Sequence, residues 1–186
     1  MDGAFYRDLR EPFIGSDATA VTLAATYKAL LPAGALPPLG SHYFGRIGKK
    51  VRLRLFGRMT TALTPGNIQL AIFYGTGADA NGVNLAASAA VALSASQTNL
   101  SWEAEFTVHC RSIGATGTLF ATGKFLCNNA LVASTLLPIM IPASAPAVSG
   151  SCDLTSASLI LSPQMLRSGS TAETAQVHDF EFEALN

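Results

Sequence analysis

The stretch Leu100-Ser101-Trp102-Glu103-Ala104-Glu105-Phe106-Thr107-Val108-His109-Cys110-Arg111-Ser112-Ile113 decides the fold. Trp102, Ala104, Phe106, Val108 and Cys110 alternate with Glu103, Glu105, Thr107, His109 and Arg111. Side chains along an extended strand point to opposite faces in turn, so this period of two predicts a strand with one buried and one wetted face. Gly114-Ala115-Thr116-Gly117 turns the chain into a second run, Thr118–Cys127, and the two read as a hairpin.

Outward from this hairpin the same period recurs. Over residues 49–61, Val51, Leu53 and Leu55 alternate with Arg52, Arg54, Phe56 and Arg58; Thr64-Pro65-Gly66-Asn67 then turns into Asn67–Gly75, where Ile68, Leu70, Ile72 and Tyr74 share a face. Residues 75–82 (GTGADANG) read as loop. The Ala-rich residues 83–93 suit a thin strand or a short helix, with strand preferred. Further strands are expected at residues 131–141, 156–161 and 175–185. About eight strands with no helices between them predict an antiparallel β-sandwich, and the long strands favour an eight-stranded jelly roll. The organisation expected is an N-terminal arm, residues 1–17, followed by a single sandwich domain, residues 18–186. Trp102, Phe106, Val108, Val51, Leu53, Leu55, Leu70 and Ile72 form the expected core.

Composition narrows the function. Twelve basic and twelve acidic residues give a formal net charge of zero and a pI near 6.8, which argues against a nucleic-acid binder, whose domain pI is usually above about 9. Only 13% of residues are charged while 49% are hydrophobic, about half the charge of an average chain. Too few charges coat a free monomer well, so the chain reads as a subunit of something larger. Met1-Asp2-Gly3-Ala4 lacks the basic and then apolar pattern of a signal peptide. The best apolar run, residues 130–143, is broken by Pro138 and Pro142, so no membrane span is expected. Cys110, Cys127 and Cys152 are odd in number and lack CxxC spacing, which predicts buried, reduced thiols in a reducing compartment.

Charge placement adds a topological expectation. Arg46, Lys49, Lys50, Arg52, Arg54 and Arg58 are interrupted by no acid, and Glu173, Asp179, Glu181 and Glu183 by no Lys or Arg. A jelly roll sets its first long strand beside its last. Arg52 and Arg54 would then face Glu181 and Glu183 as cross-strand pairs contributing about 0.2–1 kcal/mol each. The same pairs could instead bridge two subunits.

No constellation of side chains points to catalysis. There is no GxSxG elbow, and His42, His109 and His178 lie in unrelated contexts. His109 and Cys110 are strand neighbours and so point to opposite faces. Neither HExxH nor paired CxxC offers a metal site. Glu103 and Glu105 lie about 7 Å apart on one strand face, within glycosidase spacing, but Trp102 alternates onto the other face and nothing marks a sugar cleft. Asp79-Ala80-Asn81-Gly82 starts like a calcium loop without its later ligands. No enzyme activity, cofactor or metal is expected.

Leu31-Pro32-Ala33-Gly34 through Pro37-Pro38-Leu39-Gly40-Ser41-His42-Tyr43-Phe44, then Gly48-Lys49-Lys50-Val51-Arg52 and Gly57-Arg58, carry a resemblance. So do Ser101-Trp102-Glu103-Ala104 and Arg111 through Thr118. Over residues 18–186 the chain resembles small jelly-roll virion proteins of tailed bacteriophages, of the capsid decoration, minor capsid or minor tail type. The resemblance implies a homotrimer on the outer face of the shell, with the major capsid protein as partner, assembled in the host cytoplasm. Copies bridging neighbouring coat subunits would cement the shell through multivalency. The arm, with Phe5, Tyr6, Arg7, Arg10 and Phe13, would anchor the subunit to the body or to a neighbour. The alternatives are a tail or fibre component with a receptor-binding jelly roll and, further off, a free carbohydrate-binding module. A decoration protein can also present its outer loops to host surfaces, with residues 75–82 as the loop to watch and a host-surface glycan as the possible ligand.

Overall fold

Alternation at period two becomes two antiparallel sheets packed face to face. The computed structural model describes residues 13–16, 18–32, 34–36, 38–39, 43–133, 138–144, 151–156, 158–169 and 172–185. The strands are β1 (Phe13–Ser16), β2 (Val21–Thr22), β3 (Lys28–Ala29), β4 (Lys50–Thr60), β5 (Asn67–Gly75), β6 (Val83–Ala87), β7 (Val91–Ala92), β8 (Leu100–Ser112), β9 (Thr118–Cys127), β10 (Ile139–Ile141), β11 (Ile160–Arg167) and β12 (Thr174–Ala184). A seven-stranded sheet runs β1-β12-β4-β8-β9-β10, with β2 also on β12. A five-stranded sheet runs β3-β11-β5-β6, with β7 also on β5. The first long strand, β4, lies beside the last, β12, as in a jelly roll, while the β8–β9 hairpin stays within one sheet.

The core lies between the sheets. All eight expected core residues are buried, and Trp102 is 3% exposed. Its indole packs edge-on to Phe125 at 6.0 Å between ring centroids and lies over Gly57, whose absent Cβ would come within 2.5 Å of Trp102 Cζ2. Glycine is needed there because the ring occupies the space of a side chain.

The two sheets differ on their outer sides. β5 and β11 are buried on both faces, because Tyr27 packs edge-on against Phe73 at 5.0 Å between ring centroids and the loop after β5 folds back over β11. The buried Gln164 side chain holds that loop: Oε1 accepts from Ala80 N at 2.9 Å, and Nε2 donates to Ala78 O at 3.2 Å. In contrast, β4, β8 and β12 alternate buried with partly exposed residues. The large sheet therefore presents an open outer face.

Several boundaries differ from expectation. The strand expected at residues 156–161 is instead Ile160–Arg167. Pro163 reads as a strand breaker but is tolerated: its carbonyl accepts from Leu30 N, and a residue's N and O leave a strand on the same side, so the missing N–H falls on the β3 side and spares the β5 ladder. Among the described residues of 131–141 the strand is Ile139–Ile141, and a 3-10 turn at Asn129–Leu131 comes before it. There Asn128 Oδ1 accepts from Ala130 N and draws the chain out of the extended form. Residues 83–93 divide into β6 and β7. Within the expected arm, Phe13–Ser16 pairs with β12 as an edge strand, Phe13 opposite Phe182.

Candidate interface on the outer sheet face

The outer face of the large sheet is built by registers that set opposite charges side by side. β4 lies between β12 and β8, so each outward residue of β4 has two lateral neighbours. Three successive rows cross the middle of the face, Glu183–Arg52–Thr107–Thr122, Glu181–Arg54–Glu105–Lys124 and Asp179–Phe56–Glu103–Leu126, with one further row at each end through Lys50 and Arg58. Arg52 donates to Glu183 Oε2 at 2.5 Å. Arg54 Nε lies 2.8 Å from Glu105 Oε2, and Arg54 Nη1 lies 3.6 Å from Glu181 Oε2. The side chains in these pairs are 24–37% exposed, so each pair is worth at most about 1 kcal/mol.

The residues singled out in the sequence are placed as follows. Arg52 and Glu183 are brought together, and so are Arg54 and Glu181. Phe13 falls in β1, while Phe5, Tyr6, Arg7 and Arg10 lie outside the described residues, as does His42. Glu105, read only as half of a carboxylate pair, is the nearer partner of Arg54. The alternation marked Glu105 as outward-facing, but not that β8 flanks β4. Two other clips escaped sequence reading. Lys28 Nζ lies 2.7 Å from Asp79 Oδ2, whose other oxygen accepts from Ala29 N. The hydrogen bond from Lys28 holds the Asp79 carboxyl below its usual range. Arg167 Nε lies 3.2 Å from the fully buried Glu173, whose Oε1 accepts from Gly66 N at 3.3 Å. No local pattern in the sequence announces either pair.

At one end of the face, Leu185 N bonds Lys50 O, Lys50 faces His109, and His109 faces Phe120. Arg111 lies over the Phe120 ring at 4.5 Å. Burial, then the charges of Lys50 and Arg111, hold the His109 imidazole below its ordinary pKa. Ile47 and Ile113, 63% and 52% exposed, flank this end, since Gly48 N bonds Cys110 O. Cys110, Cys127 and Cys152 are buried; burial raises the Cys110 thiol and pushes Cys127 up to about 12, which keeps both protonated at neutral pH. Among the described residues no group of three His, Cys, Asp or Glu is placed to hold a metal, and no helix is long and apolar enough to cross a membrane.

A cleft of about 390 Å³ opens between β2 and β3, lined by Thr19, Val21, Ala29, Leu31, Pro32 and Asp79 among others. Its walls are largely aliphatic, and its carboxylate is already engaged by Lys28.

No protein-family model matches the chain, and no curated protein matches it. Among solved structures the chain is similar to peanut lectin with a nine-residue peptide, at 9% identity and a TM-score of 0.37, covering 92% of this chain and 96% of that one. A likeness of that size identifies no family.

Proposed function

We propose that this chain is a non-enzymatic structural protein of a tailed-bacteriophage virion, a capsid decoration protein that binds the outer face of the shell and stabilises it. The observation that carries this reading is the open outer face of the large sheet. Its two arginines are paired with glutamates of the neighbouring strands, and the exposed Ile47, Ile113 and Leu185 stand at its end. Such a face suits contact with other protein chains: apolar side chains supply area and interleaved charges supply specificity. The motif resemblance and the low charged fraction support the same reading, with the major capsid protein as partner and a homotrimer as the assembly.

The test is co-sedimentation with undecorated capsids. Saturable binding, with a higher temperature of capsid rupture, is the expected result; no binding at several micromolar protein would defeat the proposal. The clamped loop at residues 75–82 favours a second reading, a tail or fibre component. Gln164, Asp79 and the Thr76–Asn81 bond hold it in one conformation, and a preorganised loop loses little entropy on binding a host glycan. Glycan-array binding abolished by substitutions at Thr76 and Asn81 would favour that reading over decoration.

A further inference from the structure

We propose that the outer face of the large sheet is a contact between two copies of this chain, set face to face about a two-fold axis running along the strands between β4 and β8. The middle row of the face is Glu181, Arg54, Glu105, Lys124, an alternation of minus, plus, minus, plus. A two-fold axis parallel to the strands reverses this row in the second copy. Glu181 then meets Lys124 of the second copy, and Arg54 meets its Glu105, so opposite charges face each other at every position. An in-plane axis across the strands would set Glu on Glu and Arg on Arg. The charge order therefore selects one self-complementary orientation, as an isologous contact requires.

The ends of the row strengthen the case. Arg54 sits closer to Glu105, at 2.8 Å, than to Glu181, at 3.6 Å. The Glu105 carboxylate turns towards Arg54, and Lys124 forms no ion pair among the described residues. The row is thus left negative at its β12 end and positive at its β9 end, about 14 Å away over three strand spacings. Two-fold pairing puts these oppositely charged ends together. Four strands by five alternating rows cover roughly 19 by 30 Å, which buries about 1,200 Å² over both copies, the lower bound for a specific interface. Twisted sheets cross at about 30°, so the middle row makes the direct pairs while the outer rows add area. Met140, paired in register with Lys124 and 66% exposed, lies at the rim.

This inference rests on sheet geometry and not on the virion reading. A trimer held by other surfaces would pair into six chains through this face, and a chain without a three-fold contact would stop at two. Light scattering on a sizing column reads the mass. Two or six chains are expected for the wild type. Lys124→Glu and Glu181→Lys each place like charges at both symmetric contacts, so each variant alone should associate at least about tenfold more weakly. Mixing the two variants in equal amounts should restore the even-numbered species, because each introduced charge then meets its opposite. A wild type of one or three chains at 100 µM would overturn the proposal. So would an even mass indifferent to both variants, or one that mixing fails to restore. Should Glu181→Lys not fold, Lys124→Glu decides alone, since Lys124 holds no ion pair among the described residues. The decoration reading draws on the same face, so the two are read separately: mass reports the self-contact, and capsid co-sedimentation of the wild type and of Lys124→Glu reports decoration.

Discussion

Replacing Gly57 by Ala tests the packing on which the large sheet depends. Gly57 faces Val177 of β12 and Trp102 of β8. A Cβ built at Gly57 would lie 2.2 Å from Gln176 O, 2.5 Å from Trp102 Cζ2 and 2.6 Å from Trp102 Cε2. Ordinary carbon contacts begin near about 3.5 Å, so the neighbours must retreat by roughly 1 Å. The indole can tilt only against Phe125, and the carbonyl belongs to the β12 backbone. Overpacking of this kind costs about 1–3 kcal/mol, and a backbone clash places the cost at the upper end. Loss of chain entropy in the unfolded Ala variant offsets about 0.4–1 kcal/mol. The net expectation is about 2–3 kcal/mol, and for a domain of this size a Tm lower by roughly 4–12 °C.

The assay is thermal unfolding followed by circular dichroism, which reads every variant, with fluorescence of the chain's single tryptophan as a second probe wherever Trp102 is kept. A double-mutant cycle with Trp102→Leu divides the cost between ring and carbonyl. The Gly57→Ala penalty should fall by about 1 kcal/mol in the Leu background, because one of the two clashes is gone. A Gly57→Ala protein melting within 2 °C of wild type would refute the reasoning and, with it, the placement of Trp102 over β4.

Three further outcomes follow from other sites. Glu173→Ala leaves Arg167 without its carboxylate partner and should destabilise by about 3–5 kcal/mol, measured by urea denaturation; a loss below 1 kcal/mol would show that the pair is not buried as described. Gln164→Leu removes the bonds to Ala78 and Ala80, so limited proteolysis should cut within residues 75–82 faster than in wild type while the Tm falls by only a few degrees. His109 resists protonation in the folded chain, so the unfolded chain takes up the proton first as pH falls, and stability drops from about pH 6.5 down to the lower folded pKa. NMR titration should place that pKa below 6.5, and His109→Gln should flatten the stability profile over the same range.

Much of the sandwich was legible because one-sided burial writes period two directly into β4, β8, β9 and β12. The failures have physical causes. β11 is buried on both faces, so Ile160 to Arg167 carries no alternation, and Pro163 masks it further. β1, β2 and β3 are too short for a period, and they form because β12 and β11 offer edges to pair with. Of the charged face, Arg52, Arg54, Glu181 and Glu183 were readable as two opposed runs. Glu105 required knowing that β8 flanks β4 on its other side. Lys28 and Asp79 are 51 residues apart, and Arg167 and Glu173 flank the connection between β11 and β12; neither pair stands in a repeating pattern, and only the folded chain brings them together.

Opposed charge runs foretell which strands pair but not their register, and the two questions are decided by different forces. In the observed register two outward arginines of β4 face glutamates of β12, Arg52 with Glu183 and Arg54 with Glu181. Sliding β12 by two residues would keep every side chain on its face and set Glu183 against Lys50, Glu181 against Arg52 and Asp179 against Arg54. Electrostatics alone would prefer that slipped arrangement by one partly exposed pair, at most about 1 kcal/mol. The inner face opposes it. Val177 now lies opposite Gly57, where the Gln176 carbonyl comes too close to admit a Cβ, and β12 is irregular at the next step, between Val177 and Asp179. The slip would bring Leu55 into that place, and overpacking there costs about 1–3 kcal/mol. Packing on the buried side therefore sets the register. The charge rows that result on the open side, including the alternating row proposed to pair with itself, are consequences of where Gly57 and Trp102 meet.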